Sequence, residues 1–185
     1  MKKQDLRERI KKKRSSLSPD EVRERSKQIC MNFLRSDLYK NAKSIAIYLP
    51  IKNEADLEML KKQAFLDKKR VSVPVTDVKT NDIFLSEILE EDEFLSGDFG
   101  ISEPLVKRKT DIKNIDTVLV PGLAFDKKGG RTGWGKGFYD RLLKDSEAVL
   151  IGVGYDFQIF GSVETEAHDR LMNYILTESE LVVCG

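Results

Sequence analysis

Short apolar segments with the pattern of buried strands alternate with segments of helical periodicity along most of this chain. The pattern predicts strands at residues 44–49, 70–75, 82–89, 117–120, 149–153, 175–176 and 181–183. It predicts helices at residues 3–14, 19–35, 55–65 and 138–143, a short helix at 156–160, and irregular structure at 97–113. Such an alternation favours a mostly parallel sheet with helices on both faces. We therefore expect an α/β fold, a three-layer sandwich with a Rossmann-like sheet, in one domain of residues 1–185.

Local signals indicate where several of these elements begin and end. Ser18 is suited to cap a helix, Pro19 suits the first helical position, and Glu21 completes a capping box. Pro50 ends the apolar run before it, because proline cannot donate a hydrogen bond within a strand ladder. The first helix is basic and amphipathic, with apolar residues four apart on one face.

The composition fits a globular protein and excludes several functional classes. The 185 residues are 40% hydrophobic and 34% charged, and a formal net charge of +1 indicates no nucleic-acid partner. Cys30, Cys184 and the single histidine, His168, show no spacing typical of a disulfide framework or a zinc site. The first residues lack the apolar core of a signal peptide, and no apolar run reaches the roughly 20 residues that cross a bilayer. We expect a soluble, cytoplasmic protein without a membrane partner.

A glycine-rich basic loop occupies residues 129–137, where five of the chain's 12 glycines fall. Glycine lets backbone N–H groups approach a ligand closely, and Arg131 and Lys136 add positive charge. The loop runs into the helix predicted at 138–143, whose N-terminus favours an anion. The pattern is neither a Walker loop nor the dinucleotide fingerprint. The residues alone therefore leave two alternatives, a polyphosphate or other anion site and a tightly turned surface loop.

Two carboxylates near the predicted element ends also have two interpretations each. Asp140 is placed to hold Mg²⁺ with the help of water, or to pair with Arg141 or Lys144 near the helix start. Glu54 follows a strand end, where ligands often bind in α/β sheets, and a carboxylate can accept two N–H bonds from a pterin edge. The alternative for Glu54 is an exposed glutamate at the start of a helix.

Residues 121–140 read PGLAFDKKGGRTGWGKGFYD. This segment resembles the signature of the 5-formyltetrahydrofolate cyclo-ligase family, close to P-G-x-x-F-D-x-x-G-x-R-x-G-x-G-x-G-Y-Y-D, with Phe138 in place of the first tyrosine. Residues 3–7 are similar to the family's K-x-x-L-R, and residues 48–50 followed by Glu54 are similar to its folate-binding edge. Residues 100–104, 166–169 and 177–178 also look like family landmarks, so the resemblance spans most of the chain.

The resemblance implies an enzyme that uses ATP and Mg²⁺ to convert 5-formyltetrahydrofolate to 5,10-methenyltetrahydrofolate, with release of ADP and phosphate. The implied ATP-binding residues are Lys3, Gln4, Asp5, Leu6, Arg7, Arg131, Thr132, Gly133, Trp134, Gly135, Lys136, Gly137, Phe138 and Tyr139. The implied catalytic residues are Lys136 and Arg131, and the implied metal ligand is Asp140. The implied folate-binding residues are Leu49, Glu54, Trp134, Phe138 and Tyr139.

The residues alone leave open what several of these side chains do. Lys3 and Arg7 share one face of the first helix, and that face is also compatible with simple solvation. The three aromatic residues at 134, 138 and 139 suit stacking on a pterin or adenine ring, or packing. An imidazole such as that of His168 is suited to acid–base chemistry, but this mechanism does not require a histidine, which favours a structural role or a peripheral contact.

Two functions from other classes compete with this hypothesis. One is an RNA-binding module that uses the basic N-terminal helix, although the chain has no RNP-type, KH or zinc-knuckle pattern. The other is a different nucleotide-dependent phosphotransferase on a similar scaffold, because fold alone does not set the substrate. The main hypothesis predicts two small-molecule partners, ATP and 5-formyltetrahydrofolate, no nucleic acid, and a monomeric protein.

Overall fold

The computed structural model describes residues 3–77, 80, 82–96, 102–166 and 169–185. Its helices are α1 (Lys3–Ser15), α2 (Pro19–Leu34), α3 (Asp37–Asn41), α4 (Glu58–Leu66) and α5 (Phe138–Leu142). Its strands are β1 (Ser44–Ala46), β2 (Arg70–Asp77), β3 (Asp82–Ile88), β4 (Phe94–Ser96), β5 (Ser102–Pro104), β6 (Arg108–Thr110), β7 (Thr117–Pro121), β8 (Ala124–Asp126), β9 (Arg131–Thr132), β10 (Val149–Val153), β11 (Ile159–Phe160), β12 (Tyr174–Leu176) and β13 (Leu181–Val183). Short 3₁₀ helices cover Ile112–Asn114 and Asp156–Gln158. Within these ranges no helix combines the length and the apolar character needed to cross a membrane.

Eight strands form the central sheet, in the order β13-β12-β10-β7-β1-β2-β3-β6. The five strands from β12 to β2 are parallel to one another. At one edge β13 pairs antiparallel with β12, and at the other edge β3 and β6 continue the sheet in antiparallel pairs. The predicted α/β fold with a mostly parallel sheet is confirmed.

Apolar side chains alternate between the two faces of this sheet and fill a core on each face. On one face Ile45 belongs to a buried cluster that includes Phe33 of α2 and Leu60 of α4. On the other face Val118 belongs to a cluster that includes Leu143, directly after α5. Because the central strands are buried on both sides, their sequences are continuous apolar runs. The result is the predicted three-layer arrangement.

A smaller sheet, in the order β11-β8-β9, supports the first helix. Leu6 and Ile10 of α1 pack against Leu123, Ala124 and Val163. These two helical residues lie four apart, so one stripe of α1 is buried and its basic side chains occupy the remaining faces. Since β9 lies within the glycine-rich loop of residues 129–137, this packing brings α1 beside that loop.

The predicted helix start at Ser18 is confirmed. Its hydroxyl accepts the Glu21 backbone N–H at 3.2 Å, and the Glu21 carboxylate accepts the Ser18 backbone N–H at 2.8 Å. The helix predicted at 55–65 begins later, at Glu58. The Glu58 backbone N–H donates to the Asp56 carboxylate at 2.8 Å. Ala55 is buried in the core ahead of the helix.

Three other segments differ from the prediction. The part of 97–113 that the structure describes holds β5, β6 and a 3₁₀ helix, because β5 pairs with β4 and β6 pairs with β3. The segment 156–160 is a 3₁₀ helix followed by β11, which pairs with β8. Strand β1 ends at Ala46, although the Ile47 N–H still donates to the Ser72 carbonyl at 2.9 Å. Strands β5, β6 and β11 are defined by the segments with which they pair, and local periodicity does not contain that information.

Candidate active site

A cavity of about 360 Å³ lies at the carboxyl ends of the neighbouring parallel strands β1 and β7. Tyr48 and Leu49, just after β1, and Pro121, which ends β7, line it. In α/β sheets this edge is the usual place for a ligand. The other lining residues include Lys3, Arg7, Glu54 and every residue from 131 to 140. The fold therefore brings the N-terminal helix, the predicted glutamate and the glycine-rich loop together.

The glycine-rich loop of residues 129–137 contains β9 and leads into α5, and its residues from 131 onward form one wall of the cavity. Gly135 and Gly137 have φ angles of 98° and 65°, which other residues rarely adopt. From α1, the Nε atom of Arg7 donates to the Gly133 carbonyl at 3.0 Å. The helix thus holds the start of the loop, and glycine permits the backbone path that follows.

Lys136 lies at the exposed end of the same loop. Its Nζ atom is 5.8 Å from the centre of the Phe138 ring. The guanidinium of Arg141 is 5.2 Å from the same ring, and Arg141 donates to the Lys136 carbonyl at 3.1 Å. Two cations therefore flank Phe138 at the point where the loop enters α5.

Arg131, in strand β9 of the same loop, is a cation with a buried side chain. Its side chain is 7% exposed, and Nη2 donates to the Asp140 carboxylate at 2.6 Å. Its buried Nε atom has no hydrogen-bond partner among the described residues. The guanidinium also lies 5.8 Å from the centre of the Tyr139 ring, and burial raises the pKa of that phenol well above 10.0. A buried guanidinium with a spare donor is suited to an incoming oxyanion.

The predicted metal ligand, Asp140, is engaged by Arg131, so neither partner expected from the sequence, Arg141 or Lys144, is the one observed. Magnesium bound mainly through phosphate oxygens and water needs only one or two protein carboxylates. Glu166 and Asp169 line the same cavity. Across the described ranges, no group of three or more His, Cys, Asp or Glu side chains could hold a metal ion. These donors fit Mg²⁺ carried by a polyphosphate rather than a metal enclosed by protein.

Glu54 is 6% exposed and accepts hydrogen bonds on both carboxylate oxygens. Oε2 accepts the Ile51 backbone N–H at 3.1 Å, and Oε1 accepts the Trp134 indole N–H at 3.2 Å and Arg14 Nη1 at 3.4 Å. Burial raises the pKa of Glu54 above 4.5, while the nearby Arg14 guanidinium opposes the increase. The alternative of an exposed glutamate at a helix start is wrong, because Glu54 is buried and lies outside α4.

Trp134 lies among cations that come from two distant segments. Its ring centre is 4.8 Å from Lys52 Nζ, 5.1 Å from Lys11 Nζ and 5.3 Å from the Arg14 guanidinium. Cations at these distances attract the face of an indole. The ring is thereby held between α1 and the turn that carries Glu54.

Of the five N-terminal residues predicted to bind ATP, two line the cavity and three do not. Lys3 and Arg7 line the cavity, and Lys3 Nζ pairs with the Glu166 carboxylate at 3.0 Å. Gln4 and Asp5 are exposed, Leu6 is buried against the small sheet, and none of these three lines the cavity. Among positions 3–7, the helical repeat places positions 3 and 7 on the face toward the loop.

Several lining residues were not predicted from the sequence. They are Tyr48, Ile51, Lys52, Pro74, Thr76, Ile83, Pro121, Glu166 and Asp169. Those on β2 and β3 reach the cavity through strand register, which local patterns do not indicate. Tyr48, Pro121, Glu166 and Asp169 belong to segments that resemble the family, and that resemblance was the available signal. His168 lies outside the described residues.

A glycine-rich basic loop and a buried carboxylate share one cavity at the carboxyl edge of a parallel sheet. This combination defines an α/β protein with a small-molecule site suited to an anionic ligand. The model of the 5-formyltetrahydrofolate cyclo-ligase family matches residues 1–178. The chain belongs to this family.

Individual relatives agree over nearly the whole length. The chain is 29% identical over 174 residues to 5-formyltetrahydrofolate cyclo-ligase of Haemophilus influenzae, covering 91% of this chain and 93% of the relative. It is 30% identical over 191 residues to the enzyme of the same name from Mycolicibacterium smegmatis, covering 98% and 96%. Its fold is similar to the solution structure of Aquifex aeolicus 5,10-methenyltetrahydrofolate synthetase, with a TM-score of 0.88, 35% identity, and coverage of 100% of this chain and 93% of the other.

Proposed function

We propose that this chain uses ATP to close 5-formyltetrahydrofolate into 5,10-methenyltetrahydrofolate, with release of ADP and phosphate. ATP-dependent cyclo-ligation of this folate is the activity of the family to which the chain belongs. One observation supports the proposal best: a single cavity joins the glycine-rich loop, two cations of α1 and the buried carboxylate of Glu54. The reaction needs a polyphosphate and a pterin in one place. The loop and the cations of α1 suit the polyphosphate, and the carboxylate of Glu54 suits the pterin.

The polyphosphate of ATP binds, in this proposal, along the glycine-rich loop. Backbone N–H groups of residues 133–137 surround the phosphates, and the side chains of Lys3 and Arg7 approach from α1. Arg131 and Lys136 stabilise the charge that develops as the γ-phosphoryl group is transferred. Within the described residues the buried Nε atom of Arg131 has no hydrogen-bond partner, which supports this role because binding an oxyanion would satisfy it.

The pterin of the folate binds, in this proposal, at the carboxylate of Glu54. An aminopyrimidinone edge donates two N–H bonds, and an ionised carboxylate accepts both. Leu49 and the rings of Trp134, Phe138 and Tyr139 line the same cavity and are placed to contact the ligand. Because Phe138 lacks a hydroxyl, it contributes a ring surface and no hydrogen bond.

The chemistry consists of positioning two substrates and neutralising charge. The formyl oxygen attacks the γ-phosphorus, the bond from that phosphorus to the bridging oxygen breaks, and ADP leaves. N10 then attacks the formyl carbon, the carbon–oxygen bond breaks, and phosphate departs as the ring closes and N10 loses its proton. Mg²⁺, held by Asp140 and the phosphates, would supply further neutralisation of phosphate charge. The residues of this chain align the formyl oxygen with the γ-phosphate, which is the main requirement for phosphoryl transfer.

The alternative of an RNA-binding module conflicts with where the basic helix points. Lys3 and Arg7 face the cavity, Lys11 and Arg14 lie over Trp134, and Arg14 is 1% exposed. These cations are used within the molecule. The cytoplasmic location and the monomeric state remain predictions.

Product formation from purified protein tests the proposal directly. Protein, Mg²⁺, ATP and 5-formyltetrahydrofolate are mixed, and the absorbance of methenyltetrahydrofolate is followed. We expect ATP-dependent product, and a fall in kcat/KM of about 100-fold or more in Lys136→Ala. Lys128→Ala is the matched control, because Lys128 is an exposed lysine of the same segment outside the cavity. Folded wild-type protein that forms no product would refute the proposal.

A further inference from the structure

Arg14 is a fully buried arginine to which the proposed mechanism assigns no task. It lies near the end of α1, its side chain is 1% exposed, and it does not line the cavity. Burying a guanidinium is costly unless its donors are satisfied. The partners of Arg14 therefore indicate what the residue does.

Within the described part of the chain, the Arg14 side chain donates its hydrogen bonds to the turn that ends in Glu54. Nε and Nη2 donate to the Lys52 carbonyl at 3.1 and 2.8 Å, and Nη2 also donates to the Ile51 carbonyl at 3.1 Å. Nη1 donates to Glu54 Oε1 at 3.4 Å. These are four hydrogen bonds from three nitrogens of one planar group, and a lysine ammonium, with three donors on one atom, cannot make them all.

The turn itself has a backbone that needs support. Lys52 and Asn53 have φ angles of 48° and 58°, in the left-handed region that residues other than glycine adopt at a cost. The Asn53 side chain donates to the Arg14 carbonyl at 2.9 Å. The end of α1 and this turn are therefore tied in both directions, and Glu54 follows the two strained residues directly.

We propose that Arg14 is a positioning residue for folate recognition, which holds the 51–54 turn and the carboxylate of Glu54 in the geometry that accepts two N–H bonds. This inference rests on the proposed function of Glu54. Arg14 does not touch the folate, because it is buried behind the carboxylate. It acts by fixing where Glu54 lies and by favouring its charged form.

The electrostatic part of this role follows from what surrounds Glu54. Burial raises the pKa of Glu54, and the positive charge of Arg14 is the strongest influence that lowers it. Tyr48, beyond β1, and Tyr139, on α5, also face the carboxylate, and burial raises the pKa of both phenols, which are therefore neutral near pH 7. The backbone N–H of Ile51 and the indole N–H of Trp134 also donate to the carboxylate. Removing Arg14 therefore removes the positive charge that opposes protonation of Glu54.

The kinetic test compares Arg14→Gln and Arg14→Lys with wild type. We expect Arg14→Gln to raise the KM for 5-formyltetrahydrofolate by about tenfold or more, with a much smaller change in the KM for ATP. The acid limb of the pH profile of kcat/KM for folate should move to higher pH. In Arg14→Lys the acid limb should return to its wild-type pH, because the positive charge is kept. The folate KM should stay raised, because the planar set of guanidinium donors is lost.

Arg25→Gln is the matched control. Arg25 forms an ion pair with Glu178, away from the cavity, so its loss removes an arginine–carboxylate pair between a helix and a distant segment. We expect unchanged KM values for both substrates in this variant. Equal increases in the KM values for folate and ATP in a folded Arg14→Gln protein would overturn the proposal, since that result indicates a general structural role. Should Arg14→Gln not fold, a normal folate KM in Arg14→Lys would overturn it equally.

A second measurement needs neither substrate. Trp134 is the chain's only tryptophan, and its indole N–H donates to Glu54, so its fluorescence reports the ionisation of that carboxylate. The pH midpoint of the fluorescence change should rise in Arg14→Gln and the change should vanish in Glu54→Gln. An unshifted midpoint in Arg14→Gln would refute the electrostatic role. Because this titration is independent of product formation, its failure is distinguishable from failure of the proposed cyclo-ligase activity.

Discussion

Replacing Gly135 with alanine tests whether the backbone path of the glycine-rich loop is needed for ATP. The residue has a φ of 98°, and a Cβ atom built there would lie 3.5 Å from its nearest neighbour, a guanidinium nitrogen of Arg7. That separation is an ordinary van der Waals contact, so the protein itself offers the methyl group no clash. The effect of Gly135→Ala therefore comes from the left-handed backbone, which costs an L-residue about 1–2 kcal/mol.

The expected result follows from that cost. If the loop of Gly135→Ala relaxes to an ordinary φ, ATP binding must restore the strained path, and the affinity falls by the same free energy. About 1–2 kcal/mol corresponds to a roughly 5- to 30-fold weaker Kd for ATP. Unfolding by urea should change less, because an exposed loop can relax without disturbing the core.

Isothermal titration with ATP in the absence of folate measures this effect. Gly161→Ala is the matched control, because a Cβ atom there meets nothing within 4 Å and its φ is not left-handed. We expect the control to bind ATP like wild type. A folded Gly135→Ala protein with an unchanged Kd would refute the reasoning, since the left-handed path would then have no part in binding the phosphates.

Two further predictions concern the carboxylates of the cavity. Asp140→Asn removes the charge that pairs with the buried Arg131 at 2.6 Å. We therefore expect the free energy of unfolding, measured with urea, to fall by about 1–2 kcal/mol, and a higher Mg²⁺ concentration to be needed for half-maximal activity. Asp20→Asn, at an exposed pair, is its control, and unchanged Mg²⁺ titrations in Asp140→Asn would contradict the prediction. The raised pKa of Glu54 predicts opposite trends with pH: its contribution to stability is present below pH 4.5 and is lost as the pH rises through its folded pKa, while folate binding grows over the same range. Both trends are checked by measuring the free energy of unfolding and the folate affinity against pH in wild type and in Glu54→Gln. If the two quantities changed in the same direction with pH in wild type, the prediction would be contradicted.

The fold class followed from local periodicity because the central strands are buried on both faces. A run such as 149–153 must be apolar at every position, and it is then recognisable without knowledge of its neighbours. The capping box at Ser18 and Glu21 is equally local. By contrast, β8 and β9 were not predicted, because β9 lies inside the glycine-rich loop and the strands are defined by the pairing of β8 with β9 and with β11.

The glycine-rich loop, Lys3, Arg7 and Glu54 were predicted by resemblance to a family, and their shared cavity is a property of the tertiary structure. The sequence separates Glu54 from the loop by about 80 residues, and no local signal states that the indole of Trp134 meets its carboxylate. The pairing of Asp140 with Arg131, rather than with a neighbour on its own helix, is of the same kind.

The basic N-terminal helix marks the boundary between what the sequence determined and what the structure decided. Amphipathic periodicity determined that residues 3–14 form a helix with one buried stripe, because the 3.6-residue repeat is local. The run Lys11, Lys12, Lys13, Arg14 is chemically uniform, yet its three lysines are exposed and its arginine is buried. Only the docking of α1 against the 51–54 turn distinguishes Arg14, because the carbonyls and the carboxylate that satisfy its guanidinium lie almost forty residues farther along the chain.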